Sequence, residues 1–466
     1  MNNNNGERGK FSSKFGLILA AAGSAVGLGN IWRFPTEAGE NGGAAFILLY
    51  IACILVVGLP IMIAEFMIGR SARSNVASAY RILAPGTPWH WLGKLGVITP
   101  FLILAYYNVV AGWTLGYLTT AASNGFNEMA ATGNAEVYKE YFGSFVGGTW
   151  QPVLYLVLFM LMTHFVIVRG VSSGIEKFSK LLMPGLFVLL VILVICSLQM
   201  PGTAEAVKFL FTPDFTKITP GVILSAMGQA FFSLSLGMGI LVTYASYFKD
   251  DTNLGKSALS VAGIDTVVSV LAGLVIFPSV FSVPGLQTDE GPSLIFIALP
   301  NVFQTAFGHM PWLAYAFSVA FYALLVLATI TSTISLHEVS TAYVSEVYKM
   351  SRRRAATIIS AGCIVLGVFS SLSFGPLRHL TLAGMTIFDV FDYITAKWML
   401  PIGGLLTAIF AGWVLSRRIM MYEVTNRGTR GFPMIRVYLF ILRYIAPASI
   451  ILIFLNELGL LDFLFG

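Results

Sequence analysis

Eleven stretches of the chain are apolar over a length that crosses the roughly 30 Å hydrocarbon layer of a bilayer. They run over residues 15–38, 42–70, 91–123, 151–169, 179–199, 219–248, 255–284, 311–348, 355–374, 386–417 and 434–461. Two of them are interrupted by residues that a plain membrane anchor avoids. The first carries Gly23-Ser24-Ala25-Val26-Gly27-Leu28-Gly29-Asn30-Ile31-Trp32-Arg33-Phe34-Pro35, and the sixth carries Phe231-Phe232-Ser233-Leu234-Ser235-Leu236-Gly237-Met238-Gly239. Glycine is a poor helix former, and an unwound turn at membrane depth survives only where something polar binds its bare amides and carbonyls. Both spans therefore read as broken helices that hold ions or a zwitterion. They are five spans apart, which points to two five-helix halves, 15–199 and 219–417, related as an inverted repeat with a site at the midplane. A polar segment, 1–14, precedes the halves and an eleventh helix, 434–461, follows them.

Composition agrees with a polytopic membrane protein: 56% of the 466 residues are hydrophobic, 11% are charged and the mean hydropathy is +0.80. Cys53, Cys196 and Cys363 lie in apolar stretches without metal-ligand spacing and read as free thiols. The N-terminus lacks the short apolar core and cleavage site of a signal peptide. The net charge of +6 comes from short basic clusters between spans, which excludes a nucleic-acid surface and fits the positive-inside bias. A cytoplasmic N-terminus places 20 of the 28 lysines and arginines inside and leaves 461–466 outside. The segments 124–150 and 285–310 then lie outside, with Glu128, Glu136, Glu140, Asp289 and Glu290 against Lys139. Residues 292–300 are apolar but too short to span, and are expected to cap an outer vestibule.

With these motifs in hand, the chain resembles the neurotransmitter:sodium symporter family, its bacterial amino-acid members above all. The resemblance rests on Gly23 to Pro35, Glu40-Asn41-Gly42-Gly43, Gly58-Leu59-Pro60 through Glu65, Tyr106-Tyr107, Gly228-Gln229 through Gly237, Thr243-Tyr244-Ala245-Ser246-Tyr247 and Ala328-Thr329-Ile330-Thr331-Ser332. It implies an all-α polytopic protein of about eleven transmembrane helices, the LeuT-type five-plus-five inverted repeat with helices one and six broken, in a bacterial inner membrane. Many relatives have a twelfth helix that this chain lacks. That helix lies outside the repeat, so transport is expected without it. The implied activity is sodium-coupled symport of an apolar amino acid, aromatic ones included, by alternating access.

The resemblance also implies ligand sets. Sodium takes about five or six hard oxygens. One ion would use the carbonyl of Ala25, Asn30, Ser233, Asp265 and a substrate carboxylate oxygen; the second would use the carbonyls of Gly23, Val26 and Ala328 with the hydroxyls of Thr331 and Ser332. For any one of these hydroxyls the plainer expectation is a bond back to its own helix. Eukaryotic members typically hold asparagine where this chain has Asp265 and need a chloride near the serine four positions on, here Ser269. A fixed carboxylate supplies that charge, so chloride-independent transport is expected. The substrate carboxylate would meet the amides of Leu28 and Gly29 at a half-helix N-terminus, with Tyr107 donating to it. Its ammonium would meet carbonyls of Ala25, Phe232 and Ser233. Ser24, Ile103, Phe232, Ser235, Met238, Ser332 and Leu336 would line an uncharged side-chain pocket.

Charged residues at span ends suggest gates: Arg33 with Asp392 above the substrate under the Phe232 lid, and Arg8 with Glu346 on the cytoplasmic side near Ser246 and Tyr247. Gly174 and Pro184 bracket nine residues at the start of span five, a spacing similar to one tied in this family to unwinding on the inward path. A membrane enzyme using Glu65, His164, His337 and Glu338 fails on spacing, since no metal-ligand set or nucleophile-base pair assembles from them. A channel would not need two broken helices. An amine symporter of the same fold is expected to carry aspartate in place of Ser24. The preferred amino acid, proton antiport and oligomeric state stay open.

Overall fold

The computed structural model describes residues 10–283, 292–308 and 310–461; within them the chain is helical and forms no β-sheet. Among the described residues nine helices are long and apolar enough to cross a membrane: Ala44–Ala72, His90–Ala122, Gln151–Val168, Val171–Ser197, Leu254–Phe281, Pro311–Val347, Arg352–Leu372, Ile387–Val414 and Ile435–Glu457. They are the second to fifth, seventh and eighth to eleventh spans. The first is a bent pair, Lys14–Ala25 and Gly29–Glu40, at 58°. The sixth is Pro220–Ser233 and Ile240–Ala245.

Two groups of four spans result. The third, fourth, eighth and ninth spans pack on one another, with the third and eighth in the longest seam; the first, second, sixth and seventh form the other group. Lipid offers no hydrophobic drive between helices, so close contact depends on small residues and polar ties. A side chain at Gly112 would meet the Leu156 backbone at 2.7 Å, Asn108 Nδ2 donates to Leu156 O at 2.9 Å, and Thr163 and Thr333 hydroxyls meet at 2.9 Å. On the fourth span Leu154, Leu158, Leu161 and Phe165 face outward at helical spacing, the stripe left for lipid.

The break in the first span is narrower than the motif suggested. Helix runs through Gly23 and Ser24 to Ala25, Val26 is extended (φ −74°, ψ 109°), and helix resumes at Gly29. The sixth span opens over 234–239, with Ser235, Gly237 and Gly239 at φ +54°, +77° and +71°. A Cβ on Gly237 would lie 2.7 Å from Gly404 N, and one on Gly239 2.6 Å from Gly96 O. Positive φ and backbone approach thus both demand glycine there. Ser235 Oγ donates to Ser24 O at 3.0 Å and ties the two breaks together.

The fifth span begins at Val171 rather than 179, because the polar turn counted as loop is helical. Its Glu176 is buried yet matched by Lys180 at 2.6 Å and by the Ser12 and Ser13 hydroxyls at 2.6 and 2.9 Å. Gly174 lies in a π-helical turn, and the helix continues unbroken through Pro184. The segment expected to cap the outer side is helical over Leu294–Ala306, with Leu294, Phe296 and Phe303 buried and Tyr322 donating to Ile295 O at 2.8 Å. Asp289 and Glu290 lie outside the described residues. All three cysteines are free thiols.

Candidate functional site

Between the two breaks lies a cavity of about 70 Å³. One water needs roughly 10–15 Å³ on this measure, so a small solute fits. Its lining contains all twelve residues expected around the substrate: Ser24, Ala25, Leu28, Gly29, Ile103, Tyr107, Phe232, Ser233, Ser235, Met238, Ser332 and Leu336. Gly27, Tyr106 and Ile240 complete it, and none of the fifteen is charged. Leu28 N–H donates to Tyr107 OH at 3.4 Å, which leaves the phenol hydrogen available to a ligand. The Ser24 hydroxyl is buried without a partner among the described residues. On the side away from the N-terminus the Phe232 ring covers the break, 3.2 Å from where a Cβ on Gly29 would stand and 4.7 Å from the Arg33 guanidinium.

Beside the cavity, Asp265 is fully buried. Its Oδ1 accepts from Asn30 Nδ2 at 2.7 Å, Ser233 Oγ reaches both its oxygens at 2.9 Å, and Tyr50 OH donates to Oδ2 at 2.9 Å. Asn30 Nδ2 also meets Ser269 Oγ at 2.8 Å, while Asn30 Oδ1 accepts from Gly27 N at 2.8 Å. Among the described residues no lysine or arginine pairs with Asp265, so hydrogen bonds alone compensate a carboxylate at this depth. Such a group attracts a cation. Gln229, fully buried on the sixth span, has no side-chain hydrogen-bond partner among the described residues.

A second oxygen cluster joins the first and eighth spans. Thr331 Oγ1 reaches Val26 O at 3.5 Å and Ser332 Oγ reaches it at 3.3 Å. The same hydroxyls bond back to Ala328 O at 2.9 and 3.4 Å, so the plain helix back-bond and the shared cluster coexist. A Cβ on Gly23 would lie 3.2 Å from Thr331 Cβ, which brings that turn against the cluster. Both clusters offer hard oxygens, the chemistry of an alkali cation. No group of three or more His, Cys, Asp or Glu side chains suited to a metal exists among the described residues.

The expected outer pair is not formed. Arg33 Nε lies 3.4 Å from Glu37, one turn along its own helix, and its Nη2 lies 3.7 Å from Glu457 of the eleventh span. Asp392 sits against Tyr106, with the Arg33 guanidinium close enough to act on its charge but not in direct contact. For the inner pair, Arg8 lies outside the described residues; Glu346 accepts from the Asn75 backbone N–H at 2.9 Å and from Asn75 Nδ2 at 2.8 Å. Phe11 is buried edge-on against Tyr244 and Tyr247, and Phe11 N–H donates to Tyr247 O at 3.3 Å, so the segment before the first span plugs this face.

Several working residues escape a reading of the sequence. Tyr50 hides in an apolar run, where nothing marks it as a hydrogen-bond donor. Glu65 Oε1 accepts from Gly237 N at 2.7 Å and so caps the sixth-span break from the second span. Glu338 is held by Arg352, whose Nη1 lies at 3.0 Å, and by Tyr247 OH at 2.7 Å. A buried carboxylate followed by three arginines was the available signal. His164 is not isolated: its Nδ1 and His337 Nε2 both meet Ser360 Oγ, at 2.9 and 2.8 Å, a structural tie between the fourth, eighth and ninth spans.

The profile of the Sodium:neurotransmitter symporter family matches residues 8–128 and 139–462. The chain is 37% identical over 455 residues to an uncharacterised sodium-dependent transporter, YhdH, of Bacillus subtilis (strain 168), covering 97% of this chain and 98% of that one. It is 26% identical to the human sodium- and chloride-dependent GABA transporter 2, over 92% of this chain and 77% of that one. Its fold is similar to the crystal structure of MhsT in complex with L-phenylalanine, with a TM-score of 0.84 and 42% identity over 97% of this chain and 100% of that one. The multi-pass helical fold, the uncharged cavity between two broken spans and these matches agree: the chain belongs to the sodium:neurotransmitter symporter family, whose members are membrane transporters and not enzymes.

Proposed function

We propose that the chain imports an apolar amino acid, aromatic ones included, together with two sodium ions and without chloride. The observation that carries this reading is the uncharged cavity between the two breaks, flanked by the Asp265 and Thr331 oxygen clusters. Leu28 and Gly29 amides and Tyr107 take the substrate carboxylate, carbonyls of Ala25, Phe232 and Ser233 take its ammonium, and Ile103, Met238 and Leu336 bound its side chain. L-Phenylalanine in MhsT supports a pocket of this class.

Sodium is cargo as well as driving ion. One ion is held by Ala25, Asn30, Ser233 and Asp265 and shares an oxygen of the substrate carboxylate; each ligand then raises the affinity of the other by the same factor. The second is held by Gly23, Val26, Ala328, Thr331 and Ser332, which join the two four-span groups. Asp265 supplies the fixed negative charge, so no anion is needed. The first, second, sixth and seventh spans rock against the third, fourth, eighth and ninth, the halves 15–199 and 219–417 acting as an inverted pair. The charge bias puts the N-terminus in the cytoplasm. The test is binding of radiolabelled leucine, phenylalanine and tryptophan to purified protein, with sodium replaced by potassium and, separately, chloride by gluconate. Binding that needs sodium and ignores chloride is expected. Indifference to sodium overturns the symport reading, and loss without chloride overturns the role given to Asp265.

A further inference from the structure

We propose that the pocket between the Val76–Leu83 helix, the first turns of the third span and the end of the eighth span binds the headgroup of an anionic phospholipid. The pocket encloses about 600 Å³ on the N-terminal face and is separate from the cavity between the breaks. Arg81, His90 and Lys94 line it, with Glu346 the one carboxylate among its lining residues. Arg81 has no hydrogen bond or ion pair with any described residue. Lys94 Nζ stands over the Trp91 ring at 4.0 Å. Glu346 is turned toward the Asn75 backbone and side-chain amides, which partly satisfy its charge. Two permanent cations and a histidine thus face a wide polar opening with one engaged anion, and the chemistry that completes it is a phosphate.

A lipid, rather than a free phosphate, fits the rim. Trp91, Lys94 and Ile98 recur at i, i+3 and i+7 and so share one face of the third span; Trp91 and Ile98 are 63% and 50% exposed. Ile82 is 52% exposed on the neighbouring helix. An exposed tryptophan beside a lysine marks headgroup depth, and Ile98, two turns further in, provides the surface along which an acyl chain runs. Basic pockets between spans recognise phospholipid headgroups in this way.

The test is native mass spectrometry of the full chain in detergent, titrated with phosphatidylglycerol, cardiolipin or phosphatidylethanolamine, for wild type and Arg81→Gln/Lys94→Gln. Removing two cations is expected to weaken binding of the anionic lipids about thirtyfold and to leave the weak phosphatidylethanolamine binding unchanged. Arg81→Lys/Lys94→Arg keeps the charge and is expected to bind like wild type. Equal affinity of wild type and the Gln variant, or equal affinity for anionic and zwitterionic lipid, overturns the proposal. So does displacement of phosphatidylglycerol by millimolar inorganic phosphate, which would mean a site for the free ion. Should the Gln variant fail to fold, brominated phosphatidylglycerol must quench wild-type tryptophan fluorescence more than Trp91→Phe does; no difference overturns the site.

Discussion

On the N-terminal face Glu338 meets Arg352, Glu176 meets Lys180 and Arg70 meets Glu423, each pair with at least one partner under 10% exposed. On the opposite face Arg33 reaches Glu37 and Glu457 at 3.4 and 3.7 Å, and Lys397 reaches Glu457 at 4.0 Å, all between 20% and 39% exposed. Aromatic packing around Trp113, Phe296, Phe374 and Phe388 does the remaining work there. Exposed pairs contribute about 0–1 kcal/mol, whereas stripping one partner from a buried pair costs about 3–5 kcal/mol. The end away from the N-terminus is therefore held by ion pairs that separate cheaply one at a time, whereas the N-terminal face adds to its exposed pairs three that are each costly to strip of one partner. In this structure the N-terminal face carries the more strongly held ion pairs.

The largest effect falls on the buried Glu338–Arg352 pair of the N-terminal face. Arg352→Met leaves Glu338 uncompensated and is expected to cost about 3–5 kcal/mol in thermal or denaturant unfolding of the purified protein, much of it recovered in Glu338→Leu/Arg352→Met. Single variants within 1 kcal/mol of wild type would erase the contrast between the two ends. Between the ends, Glu65→Ala strips the acceptor from Gly237 N–H and is expected to cost about 1–3 kcal/mol and to speed amide exchange over 234–239, with Glu65→Gln recovering most of the loss. On the opposite face, Arg33→Gln is expected to change stability by less than about 1 kcal/mol. It should nonetheless speed labelling of a cysteine placed at Ile103 by a membrane-impermeant reagent; unchanged labelling would mean that aromatic packing alone closes this end.

Smallest is the exposed pair of Lys14 and Asp251 on the N-terminal face, 2.7 Å apart. The hydrogen bond from Lys14 holds the Asp251 carboxyl below its ordinary value. A carboxyl depressed by folding stabilises above its unfolded value, about 3.9, and loses that contribution as pH falls through the lower folded value. Unfolding curves of wild type and Asp251→Asn are thus expected to separate slightly above about pH 4 and to converge below it.

The two breaks were legible because glycine, asparagine and hydroxyl residues in an apolar run are costly and stand out, whereas the residues expected around the cavity came from the family resemblance and not from such local cost. What escaped was carried by residues whose partners are distant. Tyr50 looks like any aromatic in a membrane helix until Asp265, on another span, faces it. Glu176 looks like a loop charge ahead of the expected span, yet it lies in a helical turn where the Ser12 and Ser13 hydroxyls donate to it. Arg33 was assigned to Asp392 by span-end position, whereas a glutamate one turn away and another from the last span claim it first. Local cost can be read along a chain; which of several compatible charges is nearest depends on how helices rotate.

Asn30 fixes a polarity as well as a position. Its amide nitrogen is held by Asp265, Ser233 and Ser269, so its carbonyl must point the other way, toward Gly27 at the unwound turn. The side chain cannot be turned over without setting oxygen against carboxylate. An aspartate of the same shape would meet that repulsion in either orientation, so an isostere that lacks the two amide hydrogens cannot stand in at this position. The one-way amide gives the turn a lone pair of fixed direction, a compass needle set by the acidic cluster behind it.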